Sequence, residues 1–441
     1  MKNHIIISEI IKPFKKKIGV NGDKSISIRC VLMASQAIGT SKIYNLLDSE
    51  DVNNSLIAIK KLGINYKKFD NYHKIFGLGI NGYDQNKSVK IYAGNSGTLA
   101  RLILGLLVNT KKKIIITGDN SLSKRDFSRV TEPLKGFGAN IISKNNSLPV
   151  QILGSDFLRP INYIEKRGSA QCKSSIMLAS LKTSGTTFIK AKKSRNHTEL
   201  LFKYLKIPII VSSRKKYDLI KIKGPSNFKG FEYKVPGDMS SCSFFIVLAL
   251  LSKNSEILIK NININETRTG IIKILNRMNA KILFKNKKKY KGELIGDILV
   301  KSKENLRGIV CPKKYNSSAI DEFLIIFLVA AKAKGVSSFK NLEELNKKES
   351  PRLEIALKFL KMIGIKYLRY KNDIKIYGNP NLTLSGNYII KNFRKDHRVF
   401  MMSCIAALTF GGKWKIHDKD SINSSFPNFL HKIRELGAKI N

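Results

Sequence analysis

Six times along the chain a short polar phrase opens a long apolar run. A Gly or polar break follows, then a strand, a loop and a second, amphipathic run. The openings are Asp23-Lys24-Ser25, Asn95-Ser96-Gly97, Ser169-Ala170-Gln171, Asp238-Met239-Ser240, Asp321-Glu322 and Asp396-His397-Arg398. The gaps between their first residues are 72, 74, 69, 83 and 75. The second run ends in a matching phrase at Leu62-Gly63-Ile64, Phe137-Gly138-Ala139, Met278-Asn279-Ala280, Ile363-Gly364-Ile365 and Leu436-Gly437-Ala438. The third copy ends instead in Leu205-Lys206-Ile207-Pro208. A nearly fixed period means one supersecondary unit used repeatedly.

Within a copy the pattern reads βαβα. The apolar run over 31–37 follows a capped start and predicts a helix, and 42–46 predicts a strand. Val52, Leu56, Ile59 and Leu62 fall on one face of a helix over 51–62. The segments 113–117, 187–190 and 256–262 are short and rich in Ile and Thr, as strands are. Pro13, Gly19 and Gly22 set a first strand apart, and Val235-Pro236-Gly237 divides three copies from the next three. The pattern therefore predicts an α/β chain of two similar lobes hinged near residues 20 and 236. Gly77-Leu78-Gly79-Ile80-Asn81-Gly82 matches a dinucleotide-loop spacing. Tyr83 to Lys87 lacks the helical period that such a loop needs, so a turn is expected.

Composition narrows the class. At 441 residues and 43% hydrophobic content the chain can bury two cores. The apolar run near 239–252 is shorter than the roughly 20 residues a membrane-spanning helix needs. The stretch Ile5 to Ile7, followed by Glu9, does not read as a signal peptide. Of five cysteines, Cys30, Cys172, Cys242 and Cys404 sit in apolar runs, as buried thiols of a reducing, cytoplasmic compartment do. Six scattered histidines form no metal-ligand pattern, so no metal is expected. The net charge of +48 raises a nucleic-acid partner. However, Lys, Asn and Ile are all over-used, as in an AT-rich genome, and the lysine runs 15–17, 111–113 and 287–289 carry no interleaved stacking aromatics. No specific nucleic acid is expected, while anionic substrates should be attracted.

The polar openings hold the chemically capable residues. Lys24, Ser25 and Arg29 open a helix whose backbone N–H groups favour an anion, and Ser25 and Arg29 share a face. The same residues also read as an ordinary cap with a surface Arg. Gly94-Asn95-Ser96-Gly97-Thr98, then Arg101, permits close backbone approach by a ligand, or is a plain turn. Ser121-Leu122-Ser123-Lys124-Arg125 reads as a phosphate clamp or a solvated loop. Asp321 reads as an N-cap or as a general base. Lys348-Glu349-Ser350-Pro351-Arg352 and Asp396-His397-Arg398 read as surface ion pairs or as anion sites. If the helix starts of both lobes face one cleft, its cations would hold phosphate and carboxylate groups, and its carboxylates would move protons.

These motifs, with Pro236-Gly237-Asp238 and Ser425-Phe426-Pro427-Asn428, resemble the 5-enolpyruvylshikimate-3-phosphate synthase family nearly end to end. The resemblance implies two lobes of three βαβαββ repeats each, of the inside-out barrel type. The first lobe spans 21–235, and the second spans 1–20 with 236–441. It implies transfer of the enolpyruvyl group of phosphoenolpyruvate to the 5-hydroxyl of shikimate 3-phosphate, with no cofactor, by a chain expected to act as a monomer. Carried over residue by residue, Lys24, Ser25, Arg29, Ser169, Gln171, Ser194, Asp321 and Lys348 would contact shikimate 3-phosphate. Lys24, Gly97, Arg125, Gln171, Arg352 and Arg398 would contact phosphoenolpyruvate. Asp321 would accept the 5-hydroxyl proton, Glu349 would handle the methylene proton, and Lys24 would assist. Several residues depart from the family pattern. Ile28 replaces the usual His, Asn346-Lys347 replace Arg-Val, Pro351 interrupts Lys-Glu-Ser-Asp-Arg, and Glu344 and Ser424 stand where some members have a substrate-binding Asn and a phosphate-binding Lys. The sister transferase acting on UDP-N-acetylglucosamine is the nearest rival. Its members usually carry a reactive Cys in the loop matching 121–128, which has none here. An RNA-binding scaffold that has lost catalysis is the rival of another class, and Asp321, Glu349 and the arginines weigh against it.

Overall fold

The computed structural model describes residues 3–83 and 88–441. The stretch 84–87, read above as aperiodic, lies outside the described residues.

Each apolar run is a helix: Lys24–Gln36, Gly97–Leu106, Ala170–Ser180, Met239–Leu251, Phe323–Lys332 and His397–Phe410. Five of the openings cap their helix with a side-chain oxygen. Asp23 accepts from the Ile26 N–H at 2.9 Å, and Ser96 from that of Leu99 at 3.2 Å. Such caps satisfy N–H groups that have no partner within the helix. The exception is Phe323–Lys332, where Glu322 occupies the cap position and makes no side-chain cap bond. These helices are buried nearly all round, without a break from Met239 to Leu250, while Lys24–Gln36 and Ala170–Ser180 bury polar side chains such as Arg29 and Lys173 as well. They also pack closely: a Cβ built on Gly105 would lie 2.1 Å from the Ser175 carbonyl oxygen.

The second helices are amphipathic. In Glu50–Lys61 the buried side includes Val52, Leu56 and Ile59, the face that the periodicity marks. Beyond these helices the chain turns at positive φ, at Gly63 (+88°), Gly138 (+111°), Asn279 (+70°), Gly364 (+73°) and Gly437 (+100°). In the third copy Lys206 takes the same conformation at +58°, so the blurred phrase keeps the geometry without the glycine.

Two compact units result. The first is Gly22–Val235 with Lys289–Glu293, and the second is Met1–Asn21, Pro236–Lys288 and Leu294–Asn441. The first unit has three four-stranded sheets, one per repeat. The second of these runs Val89–Tyr92, Ile114–Thr117, Val150–Leu153, Asn140–Ser143, with its first pair parallel and the others antiparallel. The parallel pair needs a crossover helix, which is Gly97–Leu106. The opening strand of the first repeat comes from the far end of the unit, where Glu232–Lys234 lies parallel to Ile38–Tyr44. In the second unit the N-terminal strand Lys15–Gly19 pairs parallel with Glu256–Asn263 and so opens the fourth repeat. Strands alternate buried and exposed residues, as in Gly185–Lys192, so each sheet covers helices with one face and turns the other outward.

Two readings shift. The strand expected at 42–46 runs Ile38–Tyr44, because Gly39 at φ +88° lets the chain extend directly after the helix. Gly77-Leu78-Gly79 ends the strand Tyr72–Leu78, and the Gly82 N–H bonds the Gly79 carbonyl at 3.0 Å, a turn.

Candidate active site

In the first unit the helix starts present cations. The Lys24 ammonium donates to Asp51 Oδ2 at 2.8 Å, with the aspartate nearly buried. Arg29 is buried and points along its own helix start. It donates to the Ser25 carbonyl at 2.9 Å, to Thr198 Oγ1 at 2.8 Å and to Ser174 Oγ at 3.0 Å. Burial lowers its pKa to about 10, which leaves it a cation at neutral pH. Ser169 caps its helix through the Cys172 N–H at 3.3 Å. Ser194 is buried with a hydroxyl that has no hydrogen-bond partner among the described residues.

The second repeat adds a layer around Gly97. A Cβ there would lie 3.1 Å from Arg125 Nη1 and 3.3 Å from Arg101 Nη1. Arg125 donates to Asn95 Oδ1, which orients it over this helix start. Arg101 donates to Gln171 Oε1 at 2.6 Å, and Gln171 donates to Thr98 Oγ1 at 3.0 Å. Burial lowers the Arg101 pKa to about 10, and the guanidinium lies 5.1 Å from the Phe127 ring. The predicted Lys24, Ser25, Arg29, Gly97, Arg125, Ser169, Gln171 and Ser194 thus all belong to this unit, and Arg101 and Asp51 join them as supports.

The second unit holds the carboxylates. Asp321 pairs with the Lys348 ammonium at 3.1 Å and with Arg352 Nη1 at 3.3 Å. Arg352 Nη2 meets Glu349 Oε2 at 2.5 Å. Arg352 is 1% exposed and is gripped from behind by Asp396, Nε to Oδ2 at 2.9 Å and Nη2 to Oδ1 at 3.2 Å. Burial pushes the Arg352 pKa down, but Asp396, Glu349 and Asp321 more than offset it, so the guanidinium stays charged. Burial likewise pushes the Asp396 carboxyl up. Arg352, its hydrogen bonds and His397 outweigh that, holding Asp396 below the usual carboxylate value. Pro351 occupies the cap position of the helix Arg352–Met362, which Arg352 begins inside this cluster. Arg398 donates to the Asp321 carbonyl at 2.9 Å and lies 3.6 Å from Glu322 Oε1. Glu322 in turn accepts from Ser240 at 2.6 Å.

Asp321 is a carboxylate beside two cations, and Glu349 shares one of them. Such a cluster can move protons while its cations hold an anion. Sequence reasoning missed Asp51, Asp396 and Glu322 as supports. Asp396 carried a signal in its motif, but its cap role concealed the grip on Arg352. Among the described residues no group of three or more His, Cys, Asp or Glu is placed to hold a metal. No helix of the described residues is long and apolar enough to cross a membrane.

Comparison with known proteins agrees with this geometry. The family model for EPSP synthase (3-phosphoshikimate 1-carboxyvinyltransferase) matches residues 8–433. The 3-phosphoshikimate 1-carboxyvinyltransferase of Ruthia magnifica subsp. Calyptogena magnifica is 37% identical over 436 residues, covering 98% of each chain. The solved EPSP synthase of Acinetobacter baumannii superposes with a TM-score of 0.87 at 33% identity, covering 99% of each chain. The enolpyruvyl transferase NikO of Streptomyces tendae is 14% identical with a TM-score of 0.77, over 100% of this chain and 99% of its own, and so shares the fold. With the family model spanning nearly the whole chain, and a relative this similar over its full length, the chain belongs to the EPSP synthase (3-phosphoshikimate 1-carboxyvinyltransferase) family.

Proposed function

We propose that residues of both units hold the anionic substrates of the family reaction, and that the carboxylates of the second unit move its protons. The reaction transfers the enolpyruvyl group of phosphoenolpyruvate to the 5-hydroxyl of shikimate 3-phosphate and releases phosphate, in the shikimate pathway to aromatic amino acids. In the addition step the 5-hydroxyl oxygen bonds to C2 of phosphoenolpyruvate while its C3 methylene gains a proton. In the elimination step that methyl loses a proton and the C2–O bond to phosphate breaks. Asp321 accepts the hydroxyl proton, and Glu349 gives and takes the proton at C3, with Lys24 assisting. Lys24, Gly97, Arg125, Gln171, Arg352 and Arg398 hold phosphoenolpyruvate. Lys24, Ser25, Arg29, Ser169, Gln171, Ser194, Asp321 and Lys348 hold shikimate 3-phosphate.

The observation that carries this reading is the cluster in which Asp321 and Glu349 share the buried Arg352 guanidinium. Two carboxylates on one cation are held close together, placed to handle separate protons. The buried, unpartnered hydroxyl of Ser194 supports a polar ligand in the first unit. Residues 21–235 form one lobe and 1–20 with 236–441 the other, hinged near 20 and 236. The chain acts as a monomer in the cytoplasm, where its five free, buried thiols stay reduced, and the scheme uses no cofactor. The test is phosphate release from phosphoenolpyruvate with and without shikimate 3-phosphate. Release is expected only with both, and to persist in chelator. Turnover with UDP-N-acetylglucosamine instead of shikimate 3-phosphate would overturn the assignment.

A further inference from the structure

The excess of 80 Lys and Arg over 32 Asp and Glu has no place in the reaction scheme. The lysine runs carry no interleaved aromatics, but elsewhere the fold sets single lysines against aromatics of neighbouring strands. The third sheet of the first unit runs Asn162–Glu165, Gly185–Lys192, Tyr217–Gly224, Ile209–Ser213. One face, with Ile189, Ala191, Ile220 and Ile222, is buried in the core. Cross-strand register orders the other face into rows. Asn162, Phe188, Lys221 and Ile210 lie side by side, and the next row is Ile164, Lys190, Leu219 and Ser212. Lys192 faces Tyr217, and Lys223 continues the column beyond Lys221.

Lysines and apolar side chains therefore form a checkerboard. The Lys221 ammonium lies 5.3 Å from the Phe188 ring centre, and the Lys190 ammonium 4.6 Å from that of Tyr217. Phe188 is 42% exposed, Ile164 57% and Ile210 64%, an unusual cost for a sheet face turned to water. The two carboxylates of these strands, Glu165 and Asp218, fall on the opposite face by the strand alternation. Exposed Arg214, Lys215 and Lys216 extend the positive field along the hairpin.

We infer that this face binds single-stranded nucleic acid without sequence preference, its phosphates meeting the lysines and its bases stacking on Phe188 and Tyr217. Partly exposed rings, each with a lysine ammonium over one side, can take a base on the other, and an unpaired strand offers such bases because every base has a π-face. A duplex hides those faces. An anionic membrane fits less well, because membrane-surface elements segregate apolar from cationic side chains. Here any inserted apolar side chain would carry a lysine with it.

The test measures binding of a short fluorescent oligouridylate to the full chain by anisotropy across a salt series. Each phosphate contact on a single strand contributes about −0.7 to the slope of log K against log salt. Replacing Lys190, Lys221 and Lys223 by Gln should therefore make the slope shallower by about 2. Replacing Lys111, Lys112 and Lys113 by Gln removes the same charge from a turn without aromatics, and should leave the slope nearly unchanged. Phe188→Ala should weaken oligouridylate binding about tenfold while leaving heparin binding and enolpyruvyl transfer intact. Equal losses in the two lysine variants would overturn the inference, since the binding would then be diffuse. Equal weakening of heparin by Phe188→Ala would remove the stacking. Loss of binding to phosphatidylserine vesicles, but not to oligouridylate, in the patch variants would make a membrane the partner and end the proposal.

Discussion

Replacing Gly97 by Ala tests the anion site with a single methyl group. The new Cβ would sit 3.1 Å from Arg125 Nη1 and 3.3 Å from Arg101 Nη1, so both guanidiniums must retreat by a few tenths of an ångström. Arg125 is a proposed phosphoenolpyruvate contact, and Arg101 holds Gln171 at 2.6 Å, which contacts both substrates in the scheme. A hydrogen bond to a charged group contributes about 1.5–3 kcal/mol, and misaligning it forfeits part of that. A loss of about 1–2 kcal/mol raises the KM for phosphoenolpyruvate by about 5- to 30-fold, at 1.4 kcal/mol per tenfold. Folding should not suffer. Gly97 begins the helix Gly97–Leu106 at negative φ, and Ala is the better helix former there by about 1 kcal/mol. Glyphosate occupies the phosphoenolpyruvate pocket in the family that the motifs resemble, so the same methyl should raise its inhibitory concentration more sharply still. The assay is phosphate release over a phosphoenolpyruvate series, with and without a glyphosate titration, beside a thermal melt. An unchanged KM and equal glyphosate sensitivity would show that Gly97 does not line the pocket, and the roles of Arg125 and Gln171 would fall with it.

Three further outcomes follow from the same geometry. Glu349→Gln and Asp321→Asn keep their shape but lose the proton-transfer group, so single-turnover rates should drop about 10²- to 10⁴-fold while substrate binding, measured by calorimetry, changes little; near-normal turnover in either would remove its role. Asp396 has a folded pKa below its unfolded value, so its contribution to stability is complete above about pH 4 and is lost as pH falls through the folded value. Denaturant melts should show Asp396→Asn losing about 3–5 kcal/mol at pH 7, because Arg352 is left buried beside too few charges, and the deficit should shrink in acid. Lys182 has the opposite sign: burial lowers its pKa to about 7, so the unfolded state binds more protons between pH 7 and about 10 and stability rises with pH across that window. Lys182→Met should raise Tm at neutral pH and flatten that rise, and an unchanged slope would place the ammonium in water.

Much of the fold is written locally. Apolar runs, capping oxygens and the positive-φ residue after each second helix recur at the same offsets, and these interactions span only a few residues. Lys206 shows the limit, because a residue that tolerates positive φ without being Gly leaves no mark in the text. The supports of the site leave no mark for a different reason. Lys24 and Asp51 are 27 positions apart, Arg352 and Asp396 are 44, and Arg101 and Gln171 are 70. Each of these residues had a sufficient local explanation as a cap, a surface charge or a helix-face polar group. Only the packing of helix starts from different repeats pairs them. The lysine and aromatic checkerboard was hidden likewise, since strand register joins Phe188 to Lys221 across 33 residues of sequence.

The repeat itself bears on where the proposed proton chemistry lies. Five polar openings commit a side-chain oxygen to the N–H groups of their own helix. A carboxylate used that way is hydrogen-bonded in its ionised form and makes a weak base. In the fifth copy Glu322 takes the cap position without a side-chain cap bond and accepts instead from Ser240. Asp321, beside it, is held between Lys348 and Arg352, whose charges an arriving anionic substrate would share. Asp396, in the sixth copy, keeps its cap bond to the Arg398 N–H at 3.0 Å and also anchors Arg352 from behind. One opening thus supplies the proposed base and the next anchors the arginine beside it, from equivalent positions in two repeats. The copy that breaks the capping rule is the one on which the proposed base rests.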